Sequence, residues 1–366
     1  MEEDRREHID IVTALRGVAA LCVVLFHVRI FLWVGWHEIN QNRGNYSSCD
    51  VFLSWISVPT AIMGEFVLLF FIVSGFCIHY PNVGRCREFR LKPYLLRRFF
   101  RIYPPYALAI IISMLVLFIV VRSESAKSIM PSLLLIQNYY PLVNSQIKSN
   151  YSLWSIPTEI ELYVLYAVFV SVYKFLGKGL LVLVVFVTLS LSIALLFNDP
   201  SRYLMSSLSF IFTWWSGAYL AHMFMNGRLD KFPCWLCCVL FAVLFAVPIT
   251  YYFNPHNALL NRFIFTILFF LLFWFCIASR TSAIISKSYI FRCCIGLGKI
   301  SYTLYLLHYP FFMLCGHIWI NLFGSKPASY LIPLVFVVFS VLLSRLFYKF
   351  IESPFYSISR RFAFVS

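Results

Sequence analysis

The sequence predicts an all-α polytopic membrane protein with about ten transmembrane helices and both termini in the cytoplasm. Of its 366 residues, 61% are hydrophobic and only 12% are charged, which is a membrane-protein composition rather than that of a soluble domain. The apolar residues form long runs, and the basic residues gather in the connections between those runs. These two patterns together predict the fold class.

Ten apolar runs account for the predicted spans, each near the ~20 residues that a helix needs to cross a bilayer. The first run is too long for a cleavable secretion signal and lacks a small-residue cleavage pattern, so we interpret it as span one. The spans cover 11–34, 59–80, 103–121, 153–173, 179–197, 203–222, 233–253, 261–278, 300–321 and 329–350.

The net charge of +15 has two interpretations, a nucleic-acid ligand or the orientation of a membrane protein. With ten spans and cytoplasmic termini, most of the 30 Lys and Arg residues fall in cytoplasmic segments, as the positive-inside rule requires. The charge therefore orients the protein, and we expect membrane lipid around it and no nucleic-acid partner.

The connections between spans leave no room for a second domain. We predict one integral-membrane domain over 1–366, with a core at 9–354 and a short cytoplasmic tail at 355–366. An apolar outer stretch at 128–142 is too short to span, so it is expected to lie in the interface or to re-enter the bundle. Asn45 and Asn150 begin Asn-Tyr-Ser triplets in predicted outer loops, where a glycosylating host would modify them.

The eleven cysteines predict neither a disulfide framework nor a metal site. On this topology only Cys49 faces outwards. The Cys-x-x-Cys within 234–238 has no second ligand pair at zinc-like spacing, so we expect no metal.

Span one carries Arg16 and, eleven residues later, His27. Eleven residues advance a helix by roughly 16 Å over about three turns, so both side chains leave the same face. Arg16 alone suits a side chain that snorkels to the headgroups. An ionisable group such as His27 inside a span is costly and is typical of a reaction site or a pathway.

The segment 85–106 carries seven basic residues among aromatic residues just before span three. Its charge is explained by a cytoplasmic loop that contacts anionic lipid. The spacing of its arginines allows a second interpretation of the segment. Arg98 and Arg101 are three apart and share a helix face, whereas Arg97 projects elsewhere. Two guanidinium groups on one face favour a phosphorylated ligand.

Further polar residues stand near or within other spans. Glu159 and Tyr163 are four apart at the outer end of span four and share a face, whereas Glu161 points away. The alternative for both carboxylates is simple stabilisation of a helix N-terminus. The other candidates are Ser74 with Gly75 in span two, where small residues allow close packing, Ser301, Tyr305 and His308 along one face of span nine, and Glu352 before Pro354.

Six stretches in order give the chain a resemblance to the acyltransferase 3 family of integral membrane acyltransferases. They are "LRGVAALCVVLFH", "FFIVSGF", "RRFFRIYPPY", "LWSIPTEIELY", "ISYTLYLLHYP" and "FIESP", and they extend from about residue 9 to residue 354. The Arg–His pair of span one combined with the Arg-x-x-Arg of 98–101 is the specific part of the resemblance. Thr13-Ala14 stands where members often have Asp-Gly, and Glu161 stands where Gln is frequent.

The resemblance implies a bacterial inner-membrane O-acyltransferase that uses a cytoplasmic acyl-coenzyme A, usually acetyl-coenzyme A, as donor. The acceptor would be a hydroxyl of a cell-envelope polysaccharide, a lipid-linked glycan or a related molecule. Some members carry an esterase-like domain after the membrane part, which completes the transfer outside. We expect no such domain here, so the chain would act on its acceptor directly or with a separate extracytoplasmic partner.

Residue roles follow from matching positions in the family. Arg16, Arg98 and Arg101 would hold the phosphates of coenzyme A. His27 would take the acceptor's proton or receive the acyl group. Glu159 would orient or share the proton, and Ser74 or Ser301 would polarise the thioester oxygen. Tyr302, Tyr305 and His308 match further family positions.

Two other functions fit parts of the pattern. A transporter or flippase for a glycan or lipid would also have ten spans and buried charge, but it would not need a coenzyme A site. A different membrane acyltransferase fold with a buried histidine would act on a protein or a lipid, but its key histidine would lie in a later span.

Overall fold

The computed structural model describes residues 2–84, 88–121, 129–139, 146–176, 179–196, 207–227, 258–278 and 288–362, together with 239 and 243. The described residues are mostly helical and contain no β-strand, which confirms the all-α prediction. Within these described residues, seven helical segments are long and apolar enough to cross a membrane.

The long helices coincide with the predicted spans wherever the chain is described. The seventh predicted span, 233–253, lies outside the described residues except for 239 and 243, so the count of ten stays a prediction. The helices are α1 Glu2–Leu32, α2 Trp36–Gln41, α3 Ser48–Ile56, α4 Val67–His79, α5 Leu91–Val121, α6 Ile129–Leu133, α7 Ser155–Leu176, α8 Gly179–Leu196, α9 Ser207–Met225, α10 Ala258–Ala278, α11 Tyr289–Lys299, α12 Ser301–Phe323, α13 Leu331–Phe347 and α14 Ser353–Arg361.

Glycines allow α4 and α9 to cross in backbone contact. A Cβ atom added at Gly75 would overlap the carbonyl oxygen of Trp214, and one added at Gly217 would overlap that of Ile72. Each helix thus presents a residue without a side chain to the backbone of the other, which is the usual way to bring membrane helices close together. This crossing fixes α4, which carries Ser74 and Cys77.

The same device holds α1 against two other helices. Gly17 faces the backbone of Cys294 in α11, and Gly298 faces that of Thr13. Further along, a Cβ atom at Gly316 of α12 would stand 2.7 Å from the carbonyl oxygen of Phe31. Helix α1 is therefore held against α11 near its middle and against α12 near its C-terminal end.

The outer segment between α5 and α7 packs into the bundle where it is described, as one of the two expectations for 128–142 required. The Tyr106 hydroxyl donates to the Ser132 carbonyl oxygen at 2.8 Å, and the Gln137 amide donates to the Tyr106 hydroxyl at 3.1 Å. Asn150 is only 1% exposed, and its amide donates to Ser113 Oγ at 3.0 Å and to the Leu306 carbonyl at 2.9 Å. Tertiary hydrogen bonds therefore bury the Asn150 amide in the folded protein, whereas Asn45 is exposed.

The described C-terminal segment lies against the first turns of α5. The Phe362 ring stacks on Phe100 near the start of α5, with 5.4 Å between the ring centroids. Tyr356 of α14 lies beneath Arg101, whose guanidinium carbon is 5.4 Å from the ring centroid. The segment predicted as a short tail thus begins with a helix that packs on α5 beside the arginines.

Candidate active site

A cavity lies where α1, α4, α5, α7 and α12 meet. It encloses about 870 Å³ of space that no atom fills, including the part of its mouth that is open to solvent. Seven of the nine residues predicted for the site line it: Arg16, Ser74, Arg98, Arg101, Glu159, Ser301 and Tyr305.

Three guanidinium groups give one wall of the cavity a positive charge. Arg16 comes from α1, whereas Arg98 and Arg101 leave the same face of α5, as their spacing predicts. The Arg98 guanidinium lies 5.5 Å from the ring centroid of Tyr163, and its Nε has no hydrogen-bond partner among the described residues. Arg97 does not line the cavity. Within the same part of the chain, no ion pair joins these three arginines to a carboxylate.

Glu159 belongs to a hydrogen-bonded group that also lines the cavity, beside Arg98. Ser74 Oγ donates to Glu159 Oε1 at 2.9 Å, and the Tyr163 hydroxyl donates to the same oxygen. Trp214 Nε1 donates in turn to Ser74 Oγ at 3.4 Å. The sequence predicted that Glu159 and Tyr163 share a face, but it gave no indication of Trp214, which comes from the α4–α9 crossing.

Ser301 and Tyr305 occupy the first turns of α12 and are buried. Ser301 Oγ donates to the Gly298 carbonyl oxygen at 2.8 Å. The Tyr305 hydroxyl donates to the Ser152 carbonyl oxygen at 2.7 Å and accepts from Ser155 Oγ at 2.8 Å. Both hydroxyl hydrogens are thus engaged within the protein, and the Tyr305 ring is held in place.

The remaining two predicted residues, His27 and His308, lie together beyond the Tyr305 ring. His308 Nε2 and His27 Nδ1 are 3.0 Å apart, and the ring centroids of Tyr305 and His308 are 5.8 Å apart. Tyr305 therefore separates the cavity from a histidine pair. The sequence named both histidines but could not show that they touch, because 281 positions separate them.

The hydrogen bonds of this pair determine where its protons lie. His308 Nδ1 is 3.0 Å from the Leu304 carbonyl oxygen, which can only accept, so Nδ1 carries a proton and Nε2 of the neutral ring accepts. His27 Nδ1 must then donate to His308 Nε2, and it also lies 3.0 Å from the Val23 carbonyl oxygen. This pattern leaves Nε2 of His27 unprotonated, which suits it to remove a proton or to attack an acyl carbon.

Glu352 is a buried carboxylate below the cavity that the sequence flagged without a role. It accepts from the Thr303 backbone N–H at 3.2 Å and from the Thr303 hydroxyl in the first turn of α12. A π-helical segment, Tyr348–Glu352, carries it there, and its charge acts on Arg101 and Arg16. It therefore holds the start of α12 and balances part of the charge of the arginines.

Cys77 of α4 also lines the cavity, beside the arginine wall, and its thiol is free. Sequence reasoning missed this cysteine, although it is three positions after Ser74 and so shares its helix face.

Together these groups place a cavity that can hold an anionic molecule beside a histidine pair with an unprotonated imidazole nitrogen, with the Tyr305 ring between them. A family model described as an acyltransferase domain matches residues 9–349, which include all nine predicted site residues. Comparisons with curated proteins and with solved structures find no match. Because the family model covers nearly the whole chain, this protein belongs to the acyltransferase 3 family and is a membrane acyltransferase.

Proposed function

We propose that the protein is an O-acyltransferase that moves an acyl group, in the first instance acetyl, from cytoplasmic acyl-coenzyme A to a hydroxyl of a cell-envelope glycan. The acceptor class comprises polysaccharides, lipid-linked glycans and related molecules in a bacterial inner membrane. The observation that carries the proposal is the cavity with three guanidinium groups and no paired carboxylate among the described residues, next to the histidine pair. The family match favours this function over a transporter or flippase.

The arginine wall supplies what the phosphates of coenzyme A need. A guanidinium presents N–H donors in a planar fork that binds oxygen pairs, and its charge is not neutralised at any ordinary pH. Arg98 and Arg101 come from one helix and Arg16 from another, so three forks converge from two directions. The donor's phosphates would stay at this end of the cavity while its pantetheine arm extends inwards.

The thioester would then arrive near His27. The eleven residues from Arg16 to His27 correspond to roughly 16 Å along α1, similar to the length of a pantetheine arm. In direct transfer, His27 Nε2 removes the proton from the acceptor hydroxyl as its oxygen bonds to the acyl carbon. The carbon–sulfur bond breaks, and the proton passes to the departing thiolate of coenzyme A. In the covalent alternative, Nε2 bonds to the acyl carbon as the carbon–sulfur bond breaks and coenzyme A departs as its thiolate. The acceptor oxygen then bonds to the acyl carbon, the bond to Nε2 breaks, and the hydroxyl proton passes to the thiolate.

The other predicted residues would position these groups. His308 accepts from His27 Nδ1 and so keeps the reactive nitrogen of His27 unprotonated, the role that an orienting partner has in other acyl-transfer sites. Glu159 would hold Tyr163 and Ser74 against the donor. Ser74 and Ser301 donate to protein acceptors, so polarising the thioester would require a change of hydrogen-bond partner. The acylated product forms directly or through a separate extracytoplasmic partner.

Binding of acetyl-coenzyme A to purified protein in detergent tests the donor assignment. We expect saturable binding by the wild type that is weakened roughly a hundredfold or more in Arg98→Ala/Arg101→Ala, since two charge-assisted contacts are lost. Arg97→Ala is the matched control, because this neighbouring arginine does not line the cavity. Equal affinity in the double variant and in the control would contradict the assignment.

Cys77 offers a second readout of the same site. Coenzyme A bound beside the arginines should slow alkylation of the Cys77 thiol by N-ethylmaleimide, measured by peptide mass spectrometry. Cys49, an exposed free cysteine outside the cavity, should react at the same rate with and without coenzyme A. Undiminished labelling of Cys77 at saturating coenzyme A would place the donor elsewhere.

A further inference from the structure

Three aromatic side chains stand on the far side of the histidine pair from the arginines. We call Phe31, Tyr151 and Tyr309 the outer aromatic cluster. The Tyr309 ring centroid is 5.2 Å from that of His27, 5.0 Å from that of Phe31 and 6.3 Å from that of Tyr151. Through Tyr309, the cluster therefore connects His27 to Tyr151, which is 44% exposed.

The order of residues along two helices places the cluster at a third level of the bundle. Along α1, Arg16 comes first, then His27, then Phe31. Along α12, the cavity residue Tyr305 is followed by His308 and Tyr309. Helix α1 thus runs from the arginine level through the histidine level to Phe31, and α12 carries Tyr309 directly after His308, where its ring contacts His27. If the donor is held at the arginine level, the aromatic side of His27 remains open to the acceptor.

The position of Tyr151 is fixed by its two neighbours. Asn150 is held by hydrogen bonds to Ser113 Oγ and to the Leu306 carbonyl of α12. Ser152 donates to Asn150 Oδ1 at 2.6 Å, and its carbonyl accepts from Tyr305. Between these two buried residues the Tyr151 side chain is directed outwards. An exposed ring on an anchored backbone binds with little loss of conformational entropy.

The hydroxyl groups of the cluster remain available. Among the described residues, neither the Tyr151 hydroxyl nor the Tyr309 hydroxyl has a hydrogen-bond partner, whereas those of Tyr305, Tyr106 and Tyr163 all do. Tyrosines that combine an apolar ring with a free hydroxyl match a sugar ring, which has an apolar face of C–H groups and a rim of hydroxyls.

We propose that the outer aromatic cluster is the acceptor subsite, which binds one pyranose ring and presents its hydroxyl to Nε2 of His27. This inference rests on the proposed function and adds to it the place of the acceptor. An interfacial belt of aromatic residues is the alternative for exposed tyrosines in general. It does not account for an anchored tyrosine that leads through Tyr309 to the histidine pair.

Saturation-transfer NMR with methyl glycosides tests the proposal without requiring acyl transfer. The probes are the methyl glycosides of glucose, galactose, mannose, rhamnose and N-acetylglucosamine, each added to the wild type in detergent at millimolar concentration. We expect transfer to the ring protons of at least one probe, and roughly tenfold weaker binding in Tyr151→Ala. Tyr309→Phe keeps the ring packed on His27 and should weaken binding through the loss of one hydroxyl.

Tyr139→Ala is the matched control, because Tyr139 is 43% exposed in the same outer segment but lies outside the cluster. Binding that survives Tyr139→Ala but not Tyr151→Ala supports the subsite. No transfer to any probe in the wild type, or equal losses in Tyr151→Ala and the control, overturns it. Acetyl-coenzyme A binding is measured on the same samples. Sugar binding without donor binding would support the subsite and overturn only the donor assignment.

Discussion

At the scale of single residues, the site is defined by which polar atoms already have partners. The hydroxyls of Ser301 and Tyr305 are engaged within the protein, whereas the arginine wall is not paired with carboxylates among the described residues. Buried donors without partners are unfavourable in an apolar environment unless a ligand satisfies them. We therefore expect the arginines to contribute most of the free energy of ligand binding. The hydroxyls of Ser301 and Tyr305 instead hold their own side chains in place.

Replacement of His308 tests the proton assignment of the histidine pair. His308→Ala removes the acceptor for His27 Nδ1–H, so the His27 ring loses its fixed tautomer and orientation. We expect kcat for acyl transfer to fall roughly 10–100-fold while affinity for acetyl-coenzyme A is unchanged. Steady-state rates and donor binding measured on the same preparation give the two values.

His308→Gln is the informative companion, because its amide oxygen can still accept from His27. It should retain more activity than His308→Ala. A variant His308→Ala with the wild-type kcat would show that the contact between the histidines has no role in transfer.

Residue spacing predicted the parts of the site that lie on single helices. Arg98 with Arg101, and Glu159 with Tyr163, share faces because three or four positions bring side chains together on any helix. Contacts between helices had no such local signal. The pairing of His27 with His308, and the bonding of Tyr305 to the segment before α7, depend on how distant helices pack.

At the scale of helices, glycine determines how closely α1 and its neighbours approach. The helix α11 contains two glycines with different surroundings. A Cβ atom at Gly298 would overlap the Thr13 carbonyl oxygen, whereas one at Gly296 would meet nothing within 4 Å. This difference allows a test inside one helix.

We expect Gly298→Ala to lower the thermal stability of the protein, since α11 must move away from α1 at a cost of about 1–3 kcal/mol. The same movement displaces Arg16, so the KM for acyl-coenzyme A should rise. Gly296→Ala should be neutral or stabilising by up to about 1 kcal/mol, because alanine favours the helix. Thermal unfolding in detergent measures both, and equal effects of the two substitutions would refute close packing at Gly298.

The π-helical segment Tyr348–Glu352 is the basis of a second prediction at this scale. Glu352→Ala would leave the Thr303 backbone N–H unpaired in the first turn of α12, which costs about 1–3 kcal/mol. Glu352→Gln keeps an acceptor oxygen and should be milder. The midpoint temperature of thermal unfolding compares the stability of the two variants. A Glu352→Ala protein as stable as the wild type would show that Glu352 does not stabilise the start of α12.

At the scale of the whole molecule, the charge distribution and the apolar runs predicted most of the architecture. Long apolar helices need no tertiary information, because the bilayer requires about 20 apolar residues wherever a helix crosses. The helices follow the predicted spans in the described residues, and the described C-terminal segment packs on α5. The burial of Asn150 was not predictable, because it depends on hydrogen bonds to two distant helices.

Glycosylation in a microsomal translation system tests orientation and burial together. Asn45 is exposed in a predicted outer loop and should be modified, whereas Asn150 is 1% exposed and should not. The expected result is one added glycan, which Asn45→Gln abolishes and Asn150→Gln does not. Modification at Asn150 would contradict its burial, and an unmodified Asn45 would count against the predicted orientation.

The fixed ring of Tyr305 has a consequence for the cell that houses the protein. It stands between the arginine-lined cavity and the histidine pair, held by hydrogen bonds at its hydroxyl. In the proposed reaction only a small acyl group passes this point, and the nucleotide end of the donor never leaves its own side. Neither water nor ions need to follow. We expect the membrane to remain electrically insulated during turnover, so that its proton gradient is not dissipated by the reaction.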